Sequence, residues 1–215
     1  RKDLNNMKNT IEFEVCGELG LFTNPQMSEV DSKSTYPIPT YGVLIGVCES
    51  IYWQPSFLWV IDEVRVMNQI KTYNMAFSGS DWNTGERRIY KNTYLIKPRY
   101  QILAHFEWDF SRPDLSKDRI EGKHYAIVKR CLSKGGRKQS YLGAQNCAAD
   151  IEPCIFGEGE SYYDGTGQIP FGIMYHSKKY SARIGTGTQP LWWQPVMTDG
   201  IIKYARPEQC TLKIA

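Results

Sequence analysis

The chain has 215 residues, 41% of them hydrophobic, which is enough to bury a core and excludes an intrinsically disordered protein. Its 26 Lys and Arg against 23 Asp and Glu leave a formal net charge of only +3, so the chain as a whole is nearly balanced. No run of about 18 apolar residues occurs, so we expect no transmembrane helix and no contact with a membrane. Residues 1–10 are polar; we expect them to be disordered or vector-derived, and not a signal peptide.

The first half of the chain alternates strand-like and helix-like segments. The segment TIEFEVCGEL has the two-residue period of a strand with one wet face. Helical spacing follows in YGVLIGVCESIYW, with Thr40 as the N-cap and an end near Trp53 because of Pro55. Two β-branched segments, FLWVIDEVRVMNQIK and YQILAHFEWDF, predict long strands. They frame an insert at about 71–90 that fits an extended hairpin or a mobile loop. A second helix is predicted from about Arg119 to Lys134.

The order strand, helix, strand, strand, helix predicts an α+β protein. We expect residues 11–146 to form a ferredoxin-like β-α-β-β-α-β domain, the scaffold that RNA-recognition modules also use. After about Asn146 the pattern changes to short apolar segments between Gly and Pro. Residues 147–215 therefore predict a small antiparallel β-sheet domain, with a hairpin that turns at Asp199 and Gly200.

One segment, EGKHYAIVKRCLSKGGRKQ, concentrates positive charge, and no Asp or Glu occurs from Gly122 to Ala149. A solvated helix face is the ordinary explanation of a charge run. Here the absence of any local acid, and a Gly135-Gly136 pair that terminates the helix and brings backbone N–H groups close to a ligand, favour phosphate binding. The 13% aromatic residues would supply surfaces for base stacking. The six cations are Lys123, Lys129, Arg130, Lys134, Arg137 and Lys138.

His124 follows the first of these cations and has two interpretations. It shares a helix face with the apolar Val128 and Cys131, as a histidine of the core would. Alternatively, a neutral imidazole next to Lys123 at the start of a helix can accept the 2′-hydroxyl proton of RNA while the lysine stabilises charge on the attacked phosphate. That chemistry needs no metal. Of the other histidines, His105 is expected to be structural and His176 to lie at the surface.

The sequence offers no support for other common chemistries. It contains no P-loop, GxSxG, HExxH or DxD motif, so we expect no metal and no cofactor. The six cysteines include no CxxC pair, which predicts free thiols in a cytoplasmic protein.

Several segments together resemble a known family. They are LFTNP, TYPIPTYGVLIGVCESIYWQP, HFEWDFSRPDLSKDRIEGKHYAIVKR and KGGRKQSYLGAQNC, and the resemblance extends from about Ile11 to Cys210. The chain is similar to the Cas5d family of CRISPR-associated proteins, the repeat-processing proteins of the subtype I-C (Dvulg) system within the RAMP superfamily. The resemblance implies a metal-independent endoribonuclease that cuts CRISPR repeat RNA at the base of its hairpin, leaving a 2′,3′-cyclic phosphate and a 5′-hydroxyl.

The resemblance also implies site residues and partners. The family's catalytic tyrosine, lysine and histidine correspond to Tyr52, Lys123 and His124; by position alone, Tyr52 would be an aromatic cap at the end of a helix. The protein is expected to stay on the 5′ handle of the RNA as a subunit of the surveillance complex. A binding subunit without cleavage activity is the alternative, and metal-dependent action on double-stranded DNA, which relatives show, is a third.

Two segments depart from the family or stay ambiguous. The loop at 26–35 is more acidic than the loops usual in relatives, which puts its contribution to RNA binding in doubt. In the insert, Arg87 and Arg88 fit either an RNA clamp or solvated side chains.

Overall fold

A computed structural model of the chain describes residues 9–24, 32–80, 84–120, 122–179 and 189–210. These residues form a mixed α/β fold made mostly of strands. The helices are α1 (Tyr41–Ile51) and α2 (Lys123–Leu132), with short 3-10 helices at Pro113–Asp118 and Pro207–Gln209. The strands are β1 (Thr10–Gly17), β2 (Leu19–Gly20), β3 (Ser32–Ser34), β4 (Phe57–Val66), β5 (Thr72–Ser80), β6 (Arg87–Ile96), β7 (Arg99–Trp108), β8 (Ser140–Tyr141), β9 (Ala148–Pro153), β10 (Gln168–Pro170), β11 (Met174–Lys179), β12 (Gln189–Trp193), β13 (Val196–Thr198) and β14 (Ile201–Lys203).

The largest sheet is antiparallel and has eight strands in the order β10-β13-β14-β4-β7-β1-β9-β8. Its central strands follow the order β4-β7-β1-β9, and along the chain these strands and the helices alternate as β1, α1, β4, β7, α2, β9. Both ends of the β4-β7-β1 ladder are thus covered by strands from later in the chain.

The insert between β4 and β7 is an extended hairpin. Strands β5 and β6 pair antiparallel from Thr72↔Leu95 to Ser80↔Arg87, and β6 also pairs with β2 and β3. The predicted insert, at about 71–90, begins one residue before β5 and ends within β6; its tip, 81–83, lies outside the described residues.

The strands after residue 147 are distributed over the molecule, whereas the sequence suggested one separate small sheet. Strand β9 pairs with β1, and β10, β13 and β14 extend the sheet from β4; among the described strands of this region, only β11 and β12 form a sheet of their own. An unpaired strand edge exposes N–H and C=O groups, so late strands that cover both edges of the central sheet satisfy those groups. The hairpin predicted at Asp199 and Gly200 is confirmed, with φ values of 47° and 81° in its turn.

Helix α1 begins and ends where the sequence predicts. The Thr40 side chain accepts a hydrogen bond from the Val43 N–H, as an N-cap does. The helix buries Leu44, Val47 and Cys48 and ends at Ile51, after which the backbone is extended ahead of Pro55.

Helix α2 begins later than predicted, at Lys123 and not near Arg119. Residues 113–118 form their own 3-10 helix, and Gly122 has φ 76°, a left-handed conformation that separates the two helices. The predicted stop is confirmed, because α2 ends at Leu132 and Gly135 and Gly136 follow with positive φ.

The core lies between the large sheet and the two helices. On β1, Ile11, Phe13 and Val15 are buried on the helix side, whereas Glu12 and Glu14 alternate onto the opposite side. All six cysteines are free. Among the described helices, none is both long enough and apolar enough to cross a membrane.

Candidate active site

The end of α1 meets the start of α2, and this junction brings Tyr52 and His124 together. The Tyr52 hydroxyl oxygen lies 3.0 Å from His124 Nδ1, although 72 positions separate the two residues in the chain. Tyr52 is fixed on both sides of its backbone, because its N–H donates to the Cys48 carbonyl and its own carbonyl accepts from the Trp59 indole at 2.9 Å.

The hydrogen bonds of His124 define the tautomer of its ring. Nε2 lies 2.7 Å from the carbonyl oxygen of Asp118, and a carbonyl only accepts, so Nε2 carries the hydrogen. The lone pair of Nδ1 then accepts the hydrogen bond that the Tyr52 hydroxyl donates. Nδ1, the ring nitrogen that accepts in this tautomer, therefore faces Tyr52.

Both members of this pair are buried. His124 is 1% exposed and Tyr52 is 2% exposed, and the rings of Phe57 and Trp108 pack edge-on against the imidazole at 5.6 and 5.5 Å. Val128 and Cys131 are buried on the same helix face, as the core-histidine interpretation requires. Both ring nitrogens of His124 bond to protein groups, Nδ1 to the Tyr52 hydroxyl and Nε2 to the Asp118 carbonyl. Burial also raises the pKa of Tyr52.

Lys123 is not an uncompensated cation, contrary to the prediction. Its Nζ lies 2.5 Å from Asp118 Oδ1, and the hydroxyl of Ser56 donates to Oδ2 of the same carboxylate at 2.9 Å. The hydrogen bond from Lys123 is the main reason why the pKa of Asp118 lies below its usual range. Asp118 cannot be recognised from the cationic segment, because it precedes that segment in the chain and reaches Lys123 through the turn between the 3-10 helix and α2.

The other cations of the segment remain at the surface. All five are exposed, and none forms an ion pair with a carboxylate of the described residues within 4.0 Å. The guanidinium of Arg137 lies over the Tyr52 ring, 4.5 Å from its centroid, so this group of cations borders the Tyr52 and His124 pair. We call these five the unpaired cations: Lys129, Arg130, Lys134, Arg137 and Lys138.

The two glycines have a structural task. The N–H groups of Gly135 and Gly136 donate to carbonyls at the end of α2, and those of Arg137 and Lys138 donate to Ser50 at the end of α1, at 2.9 and 3.1 Å. A Cβ on Gly136 would lie 3.2 Å from the Ser50 oxygen. The prediction that these N–H groups face a ligand is therefore wrong, because two of them bond to the last turn of α2 and two bond to the end of α1.

Side chains of this loop still border an open space. A groove of about 540 Å³ lies between the loop and β9, with Lys134, Arg137 and Lys138 on one wall and Asp150 and Glu152 on the other. The loop can thus contact a ligand through its side chains and not through its backbone.

The remaining candidates lie elsewhere. Arg87 and Arg88 are at the start of β6, on the hairpin and in a different sheet from the junction of α1 and α2. His105 lies on the sheet face turned away from the helices, between Asp62 at 2.7 Å and Glu107 at 3.2 Å. The hydrogen bond with Asp62 is the main cause that raises the pKa of His105.

His176 is not a surface residue, and that prediction is wrong. It is 0% exposed, its ring stacks on Tyr41 at 4.4 Å, and its Nε2–H donates to the Ala205 carbonyl at 2.8 Å. Burial lowers the pKa of His176 to about 4. Within the described residues, no three His, Cys, Asp or Glu side chains form a group that could hold a metal ion.

Fold and site together define a mixed α/β protein with a tyrosine and histidine pair buried beside a cluster of exposed cations. The family model of Cas5d, described as CRISPR-associated protein (Cas_Cas5), matches residues 10–204. The chain therefore belongs to the Cas5d family of CRISPR-associated proteins, and the resemblance inferred from the sequence is confirmed.

Two solved structures are similar over nearly the whole chain. One is a crystal structure of a CRISPR-associated protein, with a TM-score of 0.77 and 30% identity over 94% of this chain and 95% of that one. The other is a functionally uncharacterized protein, SMU1763c from Streptococcus mutans, with a TM-score of 0.76 and 32% identity over the same shares. No curated protein matches the sequence.

Proposed function

We propose that this protein is a metal-independent endoribonuclease of a subtype I-C system that cuts CRISPR repeat RNA at the base of its hairpin. Membership of the Cas5d family supports a CRISPR-associated, RNA-handling role. The observation that carries the proposal is the contact of 3.0 Å between the Tyr52 hydroxyl and His124 Nδ1, with Lys123 next to the histidine. The strand order β4-β7-β1-β9 supports assignment of the ferredoxin-like scaffold.

The proposed reaction moves one proton along this contact. The ribose 2′-hydroxyl gives its proton to the Tyr52 oxygen while Tyr52 passes its own proton to His124 Nδ1. The 2′-oxygen then forms a bond to the adjacent phosphorus, and the bond from phosphorus to the 5′-oxygen breaks. The leaving 5′-oxygen takes up a proton from the imidazolium or from solvent, which yields a 2′,3′-cyclic phosphate and a 5′-hydroxyl.

Cations next to the pair would stabilise the charge on the phosphate. Lys123 has two N–H donors beyond the one that Asp118 accepts, and Arg137 lies over the Tyr52 ring. The other unpaired cations would hold phosphates on either side. Trp53 follows Tyr52 and is 54% exposed, which supports a role in stacking a base near the cut. We propose that the protein then remains on the 5′ handle, as a subunit of the surveillance complex.

Incubation with repeat RNA in EDTA tests the cleavage. The proposal expects cutting that persists with the chelator, stops when the scissile nucleotide is 2′-deoxy, and releases a fragment ending in a cyclic phosphate. Cutting that requires a divalent ion, or that ignores the 2′-deoxy substitution, would contradict it. Cleavage of the same RNA by His124→Ala at the wild-type rate would remove the histidine from the mechanism.

A second function, a handle-binding subunit without cleavage, is favoured by one observation. His124 is 1% exposed and both its ring nitrogens are bonded to protein groups, which also describes a purely structural histidine. Tight binding of the 5′ handle by the wild type without any cleavage of the repeat would select this function.

A further inference from the structure

Asp118 connects the two adjacent residues that the proposed reaction uses. Its Oδ1 is paired with Lys123 Nζ, its Oδ2 lies 3.3 Å from His124 Nε2, and its backbone carbonyl accepts the Nε2–H at 2.7 Å. One residue thus contacts the histidine through its backbone and the lysine through its side chain.

The position of Asp118 is fixed from several directions. It is the last residue of the 3-10 helix Pro113–Asp118, and the Ser56 hydroxyl, just before β4, donates to Oδ2 at 2.9 Å. The guanidinium of Arg119 donates to the carbonyls of Asp109 and Arg112, both at 2.6 Å, which holds the ends of this turn together. The carboxylate is therefore held where α2 begins and does not swing freely at the surface.

The charge of Asp118 matters to the ring when the ring is protonated. Around the imidazole, the charged groups are Asp118, Lys123 beside it in the chain, and Arg137 on the far side of Tyr52; Glu121 lies outside the described residues. Of the three, Asp118 carries the negative charge. An anion within about 4–6 Å stabilises a protonated base, so Asp118 favours the imidazolium that forms when Tyr52 passes its proton on.

We propose that Asp118 is a positioning residue for this site, one that holds His124 in the Nε2–H tautomer through its carbonyl and anchors Lys123 through its carboxylate. The inference rests on the proposed ribonuclease function for its kinetic test, and on the hydrogen bonds alone for its spectroscopic test.

Asp118→Asn is the informative variant, because it keeps the backbone carbonyl and nearly the same side-chain volume, removes the charge and replaces one of the two acceptor oxygens by an NH2 group. We expect the rate of repeat cleavage near neutral pH to fall about 10- to 100-fold. Asp114→Asn, in the same 3-10 helix but exposed and paired with Arg112, is the matched control and should leave the rate and its pH profile unchanged.

Nitrogen-15 NMR of the uncleaved protein gives a readout that does not depend on activity. The inference expects an Nε2-protonated ring at His124 in the wild type and a displaced Lys123 ammonium signal in Asp118→Asn. If the wild type cuts RNA and Asp118→Asn keeps its rate and profile, the inference is overturned and the proposed function stands. If the wild type does not cut, the proposed function fails, and unchanged His124 and Lys123 signals in the variant overturn the inference separately.

Discussion

The two sides of the central sheet differ in how many of their charged residues form ion pairs. On the side turned away from the helices, charges are paired: Arg99 with Glu14, Lys203 with Glu63, and His105 between Asp62 and Glu107. On the helix side, the unpaired cations have no carboxylate partner among the described residues. A paired surface has little net field for a polyanion, so we expect the proposed RNA contact on the helix side.

The proposed RNA contact differs from the one that RNA-recognition modules use. RNA-recognition modules stack bases on aromatic side chains of the open sheet face. Here β1 and β7 carry Glu12, Glu14, Arg99, Gln101 and His105 on the face turned away from the helices. That face is partly covered, because Gln101 is buried and donates to the Glu158 carbonyl. Aromatic residues of the site, Tyr52 and Trp53, instead follow the end of α1.

The largest effect expected is on catalysis. Tyr52→Phe removes the hydroxyl that Nδ1 of His124 accepts from, and the rate of repeat cleavage should fall at least about 100-fold. The unpaired nitrogen should also cost about 1–3 kcal/mol of unfolding free energy. Tyr163→Phe is the control, because it removes another hydroxyl that forms a hydrogen bond, the one that accepts from the Ile70 N–H. It should lower stability without changing the cleavage rate. Equal loss of cleavage in both variants would contradict the assignment.

The stability contributions of His176 and His105 should change with pH in opposite directions. His176 has a folded pKa of about 4, below its unfolded value near 6.5, so folding favours its neutral form. Stability should therefore fall by up to about 3 kcal/mol as pH drops from roughly 6.5 to 4. Urea unfolding at a series of pH values measures this, and the slope should flatten in His176→Phe, which keeps a ring against Tyr41.

His105 on the opposite face should do the reverse. Its pKa is raised by Asp62, so its contribution is fully present below the unfolded pKa and is lost as pH rises through the folded one. His105→Gln should therefore lose stability at acidic pH more than at alkaline pH. The same acid slope in both variants would show that the two environments do not differ as described.

A smaller effect is expected on RNA affinity. Replacing Lys134 and Lys138 by Gln should weaken binding of the repeat about tenfold and reduce the salt dependence of the affinity, because two phosphate contacts are lost. The matched control removes two paired cations from the other face, Arg99→Gln with Lys203→Gln. Titrations at several salt concentrations compare them; a larger loss in the control would place RNA on the open face of the sheet.

The smallest effect concerns the joint between the helices. Gly136→Ala should destabilise the fold by about 1 kcal/mol or more, since φ is 104° and the new Cβ would lie 3.2 Å from the Ser50 carbonyl oxygen. Gly85→Ala also has a positive φ, 70°, but open space around it, so it isolates the cost of φ alone. Denaturation of both variants should show the larger loss at Gly136; equal losses would mean that the contact with Ser50 is unimportant.

Local signals predicted much of the fold. Alternation located β1, Thr40 and Pro55 bounded α1, and the Asp199 and Gly200 pair located a hairpin, because each of these depends on neighbours within a few residues. The destinations of β9, β10, β13 and β14 depend on which strand edges remain unpaired after the early strands assemble, which is not a local property.

The part of the site that depends on neighbouring residues was predictable from the sequence. The cations and the neighbouring histidine are visible as a segment, and the resemblance supplied Tyr52. The burial of His124 depends on the rings of Phe57 in β4 and Trp108 in β7, which are distant in sequence. The contact of Lys123 with Asp118 depends on the turn at Gly122. The N–H groups after α2 were predicted to face a ligand, but the carbonyl of Ser50 at the end of α1 accepts two of them.

Repeat cleavage by two alanine variants, one on each side of the sheet, tests the central claim most directly. His124→Ala and His105→Ala would be compared with the wild type on one repeat hairpin in chelator, with RNA affinity measured in parallel. The account expects His124→Ala to bind the RNA but lose cutting by at least about 100-fold, and His105→Ala to cut near the wild-type rate. Cutting that survives in His124→Ala and disappears in His105→Ala would contradict it.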